Sequence, residues 1–201
     1  MPKNNMKKLK SAVVSSVIAV SAMAAPLSTA VMNASAANDN YAKLLQYSLY
    51  FYDANMCGKQ VGETSALSWR DDCHTSDEVD GGFHDAGDHA KFGLPAGYSA
   101  STLGWSYYEF KDSFNTNGQG NHLKTITDYF ADYFKNSTTL SGDTVTNFVY
   151  QIGDGNQDHA VWCAPEVHVD NSRKTFSTSS GASDIAASYA AALAVNYVNF
   201  G

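Results

Sequence analysis

Four stretches of this chain repeat apolar residues at helical spacing, and the gaps that separate them are long and rich in Gly, Asp and Asn. Tyr41, Leu44, Leu45, Ser48, Leu49 and Tyr52 form the first, behind Asn38 and Asp39, which can cap an N-terminus, and ahead of Gly58. Pro95 to Phe110 is the second, with Pro near its start. Leu123, Ile126, Phe130 and Tyr133 mark the third, bounded by the Gly118-Gln119-Gly120 turn. Ser183 to Phe200 is the fourth, with Ser183 or Asp184 as its cap. Its Ala186, Ala187, Ala190, Ala191, Leu193 and Ala194 allow close approach and call for neighbours to cover them. Between the last two, the β-branched and aromatic run Thr144 to Ile152 reads as extended. The pattern predicts an all-α scaffold whose chemistry sits on two long loops, Cys57 to Gly93 and Ile152 to Gly181.

Composition narrows the partners. A chain of 201 residues, 44% apolar and 16% charged, can bury a core, which excludes collagen-like, coiled-coil and disordered readings. Its 13 Lys and Arg against 20 Asp and Glu give a net charge of −7, and Lys3, Lys7, Lys8 and Lys10 crowd the extreme N-terminus. The remaining body is more acidic still. It has no basic stripe for phosphates, so nucleic acid and anionic membrane surfaces are excluded as partners and a neutral or cationic substrate is expected. The stock of 12 Tyr, 10 Phe and 3 Trp offers flat faces for the core and for sugar rings.

The N-terminus reads as an export leader. Met1 to Lys10 is basic, Ala12 to Ala25 is apolar, and Ala34-Ser35-Ala36 gives a small-x-small cleavage pattern. Ser15, Ser16, Ser21 and Pro26 break the apolar run, which falls short of the roughly 20 residues needed to span a bilayer. A leader over residues 1–37 and a domain over 38–201, secreted to the extracellular space, are the expectation.

The first long loop carries Gly81-Gly82-Phe83-His84-Asp85-Ala86-Gly87-Asp88-His89. Asp85 and Asp88, three apart on a glycine-rich turn, can hold one water between their oxygens, and two such charges push one pKa upward. An Asx-turn or a calcium loop uses the same residue types. Nearby, Cys57, the adjacent Cys73-His74 and His84 can close a tetrahedral zinc site; a Cys57–Cys73 disulfide is the alternative that export permits. Cys163 is left over, as a buried thiol.

Together these blocks resemble a known family. Leu67-Ser68-Trp69-Arg70 and the run from Gly81 to Pro95 resemble the signature of glycoside hydrolase family 9, the inverting cellulases. Tyr150-Gln151-Ile152-Gly153-Asp154-Gly155, then Asp158-His159, Trp162 and Pro165-Glu166, are similar to its next signature, and Ser183-Asp184-Ile185-Ala186-Ala187 continue it. The resemblance covers the N-terminal part of a family catalytic domain. It implies an (α/α)6 barrel of six inner and six outer helices, with an open cleft that cuts β-1,4-glucan internally. It also implies Asp88 as general base, Asp85 as the partner that holds the water, and His159 and Trp162 as contacts to sugar. The family's acid is a Glu far down the domain; no position here matches it, and Glu166 belongs to the second block. Some members carry a structural zinc on one Cys, a Cys-His pair and a His, matching Cys57, Cys73, His74 and His84. Calcium is also frequent in the family, but its ligands find no assignable position on this chain. Binding or docking modules C-terminal to this segment are a further expectation. Two rival functions remain at this stage: a carbohydrate-binding module without catalysis, and a same-fold hydrolase of another β-linked glycan such as xyloglucan or chito-oligosaccharide.

Overall fold

The computed structural model describes residues 40–168 and 173–201. In chain order its elements are α1 (Tyr41–Asn55), α2 (Val61–Thr64), β1 (Lys91–Phe92), α3 (Gly93–Thr116), α4 (Gly120–Asn136), β2 (Thr138–Ser141), β3 (Thr144–Ile152), α5 (Gly155–His159), a 3-10 turn (Pro165–Val167), β4 (Thr175–Thr178) and α6 (Ser183–Phe200). The leader expected over residues 1–37 and the capping pair Asn38 and Asp39 lie outside the described residues. Among the described residues no helix is long and apolar enough to cross a membrane.

The stripe read on the third helix is the centre of the core. Leu123, Ile126, Phe130 and Tyr133 of α4 are buried, as are Thr127 and Phe134 beside them. Each large apolar side chain removed from water in this way is worth roughly 1.5–3 kcal/mol. Phe130 stacks on Phe83 with ring centroids 3.8 Å apart, and Phe134 stacks on Tyr189 of α6 at 4.0 Å. One helix thus packs against both the first long loop and the last helix.

Helix α3 packs on both α4 and α6. It is longer than the 95–110 read from periodicity, because the helix is interrupted at Phe110 (φ −122°, ψ 31°) and then resumes to bury Phe114. Its small residues Gly93, Gly97, Ala100 and Gly104 are all buried, at the spacing that places them on one side. Ser188 and Val195 of α6 sit directly over Gly97 and Gly104. Helix α6 has the expected bounds, but neither Ser183 nor Asp184 caps it. Ala182 occupies the N-cap position with no side-chain hydrogen bond, and Asp184 lies in the first turn, where a carboxylate favours the helix dipole.

Helix α1 departs most from its predicted face. Leu49 is buried, whereas Leu44 is 59% exposed. Its buried side includes Asp53, whose Oδ1 accepts from the Ala66 amide at 2.8 Å and whose Oδ2 lies 2.6 Å from His122 Nε2. A small sheet accompanies the helices. The predicted strand β3 is the one that β1, β2 and β4 all pair with, each antiparallel. Because β1 ends the first long loop and β3 and β4 bracket the second, this sheet brings the two loops together.

Candidate active site

The loop from Gly81 to Ala90 is fastened by its backbone before any side chain acts. The Cys57 amide donates to the Gly82 carbonyl at 2.9 Å, His84 to Asn55 at 2.8 Å, and Asp85 to Ala90 at 2.9 Å. Gly81 and Gly82 both have φ near +85°, at 85° and 83°, a region open to glycine. A Cβ on Gly82 would also come within 2.9 Å of the Tyr133 ring. The result is a tight turn that presents Asp85 and Asp88.

The two carboxylates sit in different surroundings. Loss of water around its carboxyl raises Asp85 above the ordinary 3.8, and the charge of Asp88 adds to that. The coupling expected for acids three apart is therefore present, and it falls on Asp85. Asp88 Oδ2 lies 3.4 Å from His159 Nδ1, while Asp88 Oδ1 is buried without a hydrogen-bond partner among the described residues. An acceptor oxygen so placed can take a hydrogen bond from a bound molecule.

His159 and Trp162 come to the same place from the second long loop. Asp154 caps α5 by accepting from the amides of Asn156 and Gln157, which fixes the turn that carries His159. The His159 and Trp162 rings meet edge to face at 5.1 Å. Trp162 is 62% exposed and lies over Gly87, where a Cβ would be 2.6 Å from its ring. An open indole face and an imidazole thus flank Asp88.

Cys57, Cys73, His74 and His84 converge, all buried, with their ligand atoms within 4.8 Å of one another. Cys57 Sγ is 3.7 Å from His74 Nδ1, which is 3.2 Å from His84 Nε2. Zinc bonds of about 2.3 Å to sulfur and about 2.0–2.1 Å to nitrogen, arranged tetrahedrally, require ligand atoms roughly 3.3–3.8 Å apart, so the set fits such an ion. Both thiols are free. The Cys73 thiol is lowered by its hydrogen bond with Cys57, against burial, and Arg70 Nη2 donates to its sulfur at 3.5 Å. Burial lowers His84, which keeps the imidazole in the neutral form that metals bind. Cys163, expected to be buried, is exposed: it follows Trp162 on the open side of the second loop.

Glu166 is engaged elsewhere. Arg70 Nε donates to Glu166 Oε1 at 2.6 Å, while the same guanidinium donates to the carbonyls of Ala54 and Met56 at the end of α1. Behind the loop lies a buried network that residue spacing did not reveal. Asp77 pairs with Lys91 at 2.8 Å and with Arg173 at 2.8 Å, and Arg173 also pairs with Asp158 at 2.9 Å. Lys91 Nζ donates to the carbonyls of Val79 and Gly81, and Arg173 Nη2 to that of His89 at 2.6 Å. The network therefore holds both ends of the turn bearing the aspartates, and through Asp158 the residue preceding His159.

Comparison with known proteins places this arrangement. Endoglucanase A of Bacillus pumilus is 36% identical over 178 residues, covering 85% of this chain and 26% of that protein. The chain thus spans about a quarter of that relative's length. The catalytic domain of Clostridium thermocellum CelT superposes with a TM-score of 0.76 and 45% identity, over 81% of this chain and 40% of the other. The cellulase Cel9M of C. cellulolyticum, in complex with cellobiose, superposes with a TM-score of 0.76 and 45% identity, over 81% of this chain and 39% of the other. The helical frame is accordingly part of an (α/α)6 barrel, as the sequence blocks led one to expect. With residues 41–201 matching the model of glycosyl hydrolase family 9, the chain belongs to that family.

Proposed function

We propose that this chain is the base-bearing part of a secreted endo-β-1,4-glucanase that hydrolyses cellulose-type glucan with inversion, with Asp88 as general base. The observation that carries the reading is the Asp88 carboxylate: one oxygen meets His159, and the other is buried with no protein donor among the described residues. Relatives named endoglucanases and a cellulase solved with cellobiose support the substrate class.

The chemistry follows from that placement. A water held between Asp85 and Asp88 gives its proton to Asp88 as its oxygen attacks the anomeric carbon. In inversion a second carboxyl group protonates the leaving oxygen from the other side, roughly 6.5–9.5 Å away, which leaves room for the water. The family resemblance implies that this acid is a Glu farther down the catalytic domain, outside this chain; Glu166 is paired with Arg70. Trp162 would cover the apolar face of a glucose ring, and His159 would donate to a hydroxyl. Cys57, Cys73, His74 and His84 would hold a structural zinc. Four protein ligands leave no open position, so the ion would brace His84 and the adjoining Asp85.

The test is Asp88→Asn in the full-length protein, assayed on soluble cellulose and by affinity for cello-oligosaccharides. Loss of a general base should lower kcat by about 10²–10⁴-fold while leaving oligosaccharide affinity nearly unchanged. Undiminished turnover would remove Asp88 from the chemistry. A wild-type protein that binds glucan without ever releasing reducing sugar would favour a binding module instead.

A further inference from the structure

His74 stands between two groups of side chains. Its Nδ1 faces Cys57 Sγ at 3.7 Å and His84 Nε2 at 3.2 Å, inside the four-residue set that fits a metal. Its Nε2, on the other edge of the ring, lies 2.8 Å from His168 Nδ1. The His74 backbone has φ +47°, a left-handed conformation that a residue with a side chain keeps only when its surroundings hold it there. His168 is held in turn by stacking on His89, with centroids 4.3 Å apart and planes at 25°. His89 is anchored by its Nε2, 3.1 Å from the Cys163 carbonyl.

A ring nitrogen that binds a metal carries no proton, so a neutral imidazole ligating through Nδ1 keeps its proton on Nε2. For His74 the acceptor in reach of that proton is His168 Nδ1. Metal-bound histidines are oriented in this way by a partner on the second nitrogen, more often a carboxylate or a carbonyl. We propose that His168 is a positioning residue of the metal site: its Nδ1 accepts the His74 Nε2 proton, and this fixes which edge of His74 is offered to the ion. The inference rests on the metal reading above. It adds a residue 94 positions along the chain, in the same segment that carries His159 and Trp162. The metal-bearing loop and the sugar-facing loop would then be tied through one imidazole pair.

The experiment is zinc binding by the chain itself, measured by competition with a chromophoric chelator. The wild type should take one zinc, and His168→Ala should weaken it by about 10–100-fold. His168→Asn, whose side-chain oxygen stands close to where Nδ1 stood, should restore most of that loss. In nitrogen-resolved NMR of the zinc-loaded protein, the His74 Nε2 proton should exchange slowly in the wild type and in His168→Asn, and rapidly in His168→Ala.

Zinc affinity within about twofold of wild type in His168→Ala would overturn the proposal and leave the metal reading standing. So would a second zinc lost on that substitution, since His74, His89 and His168 would then hold an ion of their own. A wild type that takes up no zinc overturns both. Should His168→Ala fail to fold, the wild-type tautomer decides: a proton on His74 Nδ1 in the loaded protein would overturn the proposal.

Discussion

Arg70 shows how much a single buried side chain can settle. Its guanidinium reaches the carbonyls of Asp53, Ala54 and Met56, where a cation both satisfies the end of α1 and complements the helix dipole, and its Nε is left for Glu166. Burial opposes the charge on Glu166, but the hydrogen bonds from Arg70 and from the amides of its own residue and Asp71 prevail, so the carboxyl sits below the ordinary 4.5. A depressed carboxyl pKa stabilises the fold above the ordinary value, and that contribution is lost as pH falls through the folded one. Glu166→Gln should therefore cost about 1 kcal/mol at pH 7, with partial exposure limiting the effect. In urea titrations the gap between wild type and variant should close as pH falls below 4.5. A gap that stays constant with pH would mean that the pair contributes no ionic stabilisation. At this scale the sequence was informative: Asp88 stands beside His159 with Trp162 over Gly87, and Cys57, Cys73, His74 and His84 converge, a grouping that the resemblance of the separate blocks implied and that no spacing within one block could show. The exposure of Cys163 was not legible, since nothing in its neighbours says which side of the loop faces water.

Between elements, α3 and α6 pack tightly at glycine positions. A methyl group at Gly97 would collide with the Ser188 hydroxyl and come within 3.0 Å of the Ser188 carbonyl carbon, a backbone atom that cannot rotate away. At Gly104 the obstacle is the buried Val195 side chain, whose Cγ1 the added carbon would strike, and a valine inside a helix is held to one preferred rotamer. Alanine gains up to about 1 kcal/mol over glycine inside a helix, whereas overpacking costs about 1–3 kcal/mol. Gly97→Ala and Gly104→Ala should therefore each destabilise by about 1–2 kcal/mol, as read from denaturant midpoints. An unchanged or raised midpoint at either position would refute the close packing of α3 on α6 there. Helix bounds were legible where apolar spacing persisted, as in α6, and failed where it was interrupted, as at Phe110 in α3. Strand β3 announced itself by its β-branched residues. Its partners, two to four residues long, carry too little pattern to be seen without the fold.

At the level of the whole molecule, the two loops act as one because charges are buried between them. Asp77 and Lys91 come from the first long loop and Asp158 and Arg173 from the second, and the Asp77–Arg173 contact spans 96 residues, which no local pattern could foretell. Arg173 is the centre of this group: it neutralises two carboxylates and donates to the carbonyl beside Asp88. Removing it leaves Asp77 with Lys91 alone and takes from Asp158 the cation it pairs with, so Arg173→Met should cost about 3–5 kcal/mol. That loss mixes the worth of the pairs with the penalty of stranding their partners, and a cycle with Asp77→Asn separates them. If the network is one unit, the double variant should be more stable than the sum of the two single losses predicts, by about 1–3 kcal/mol. Additive losses would make these contacts independent. In the full-length protein Arg173→Lys keeps a charge but cannot serve Asp77, Asp158 and the His89 carbonyl at once, because an ammonium lacks the planar fork. Since the His89 carbonyl adjoins Asp88, the proposed base, that substitution should lower kcat several-fold with little change in KM, and a change confined to KM would place the network outside the alignment of Asp88.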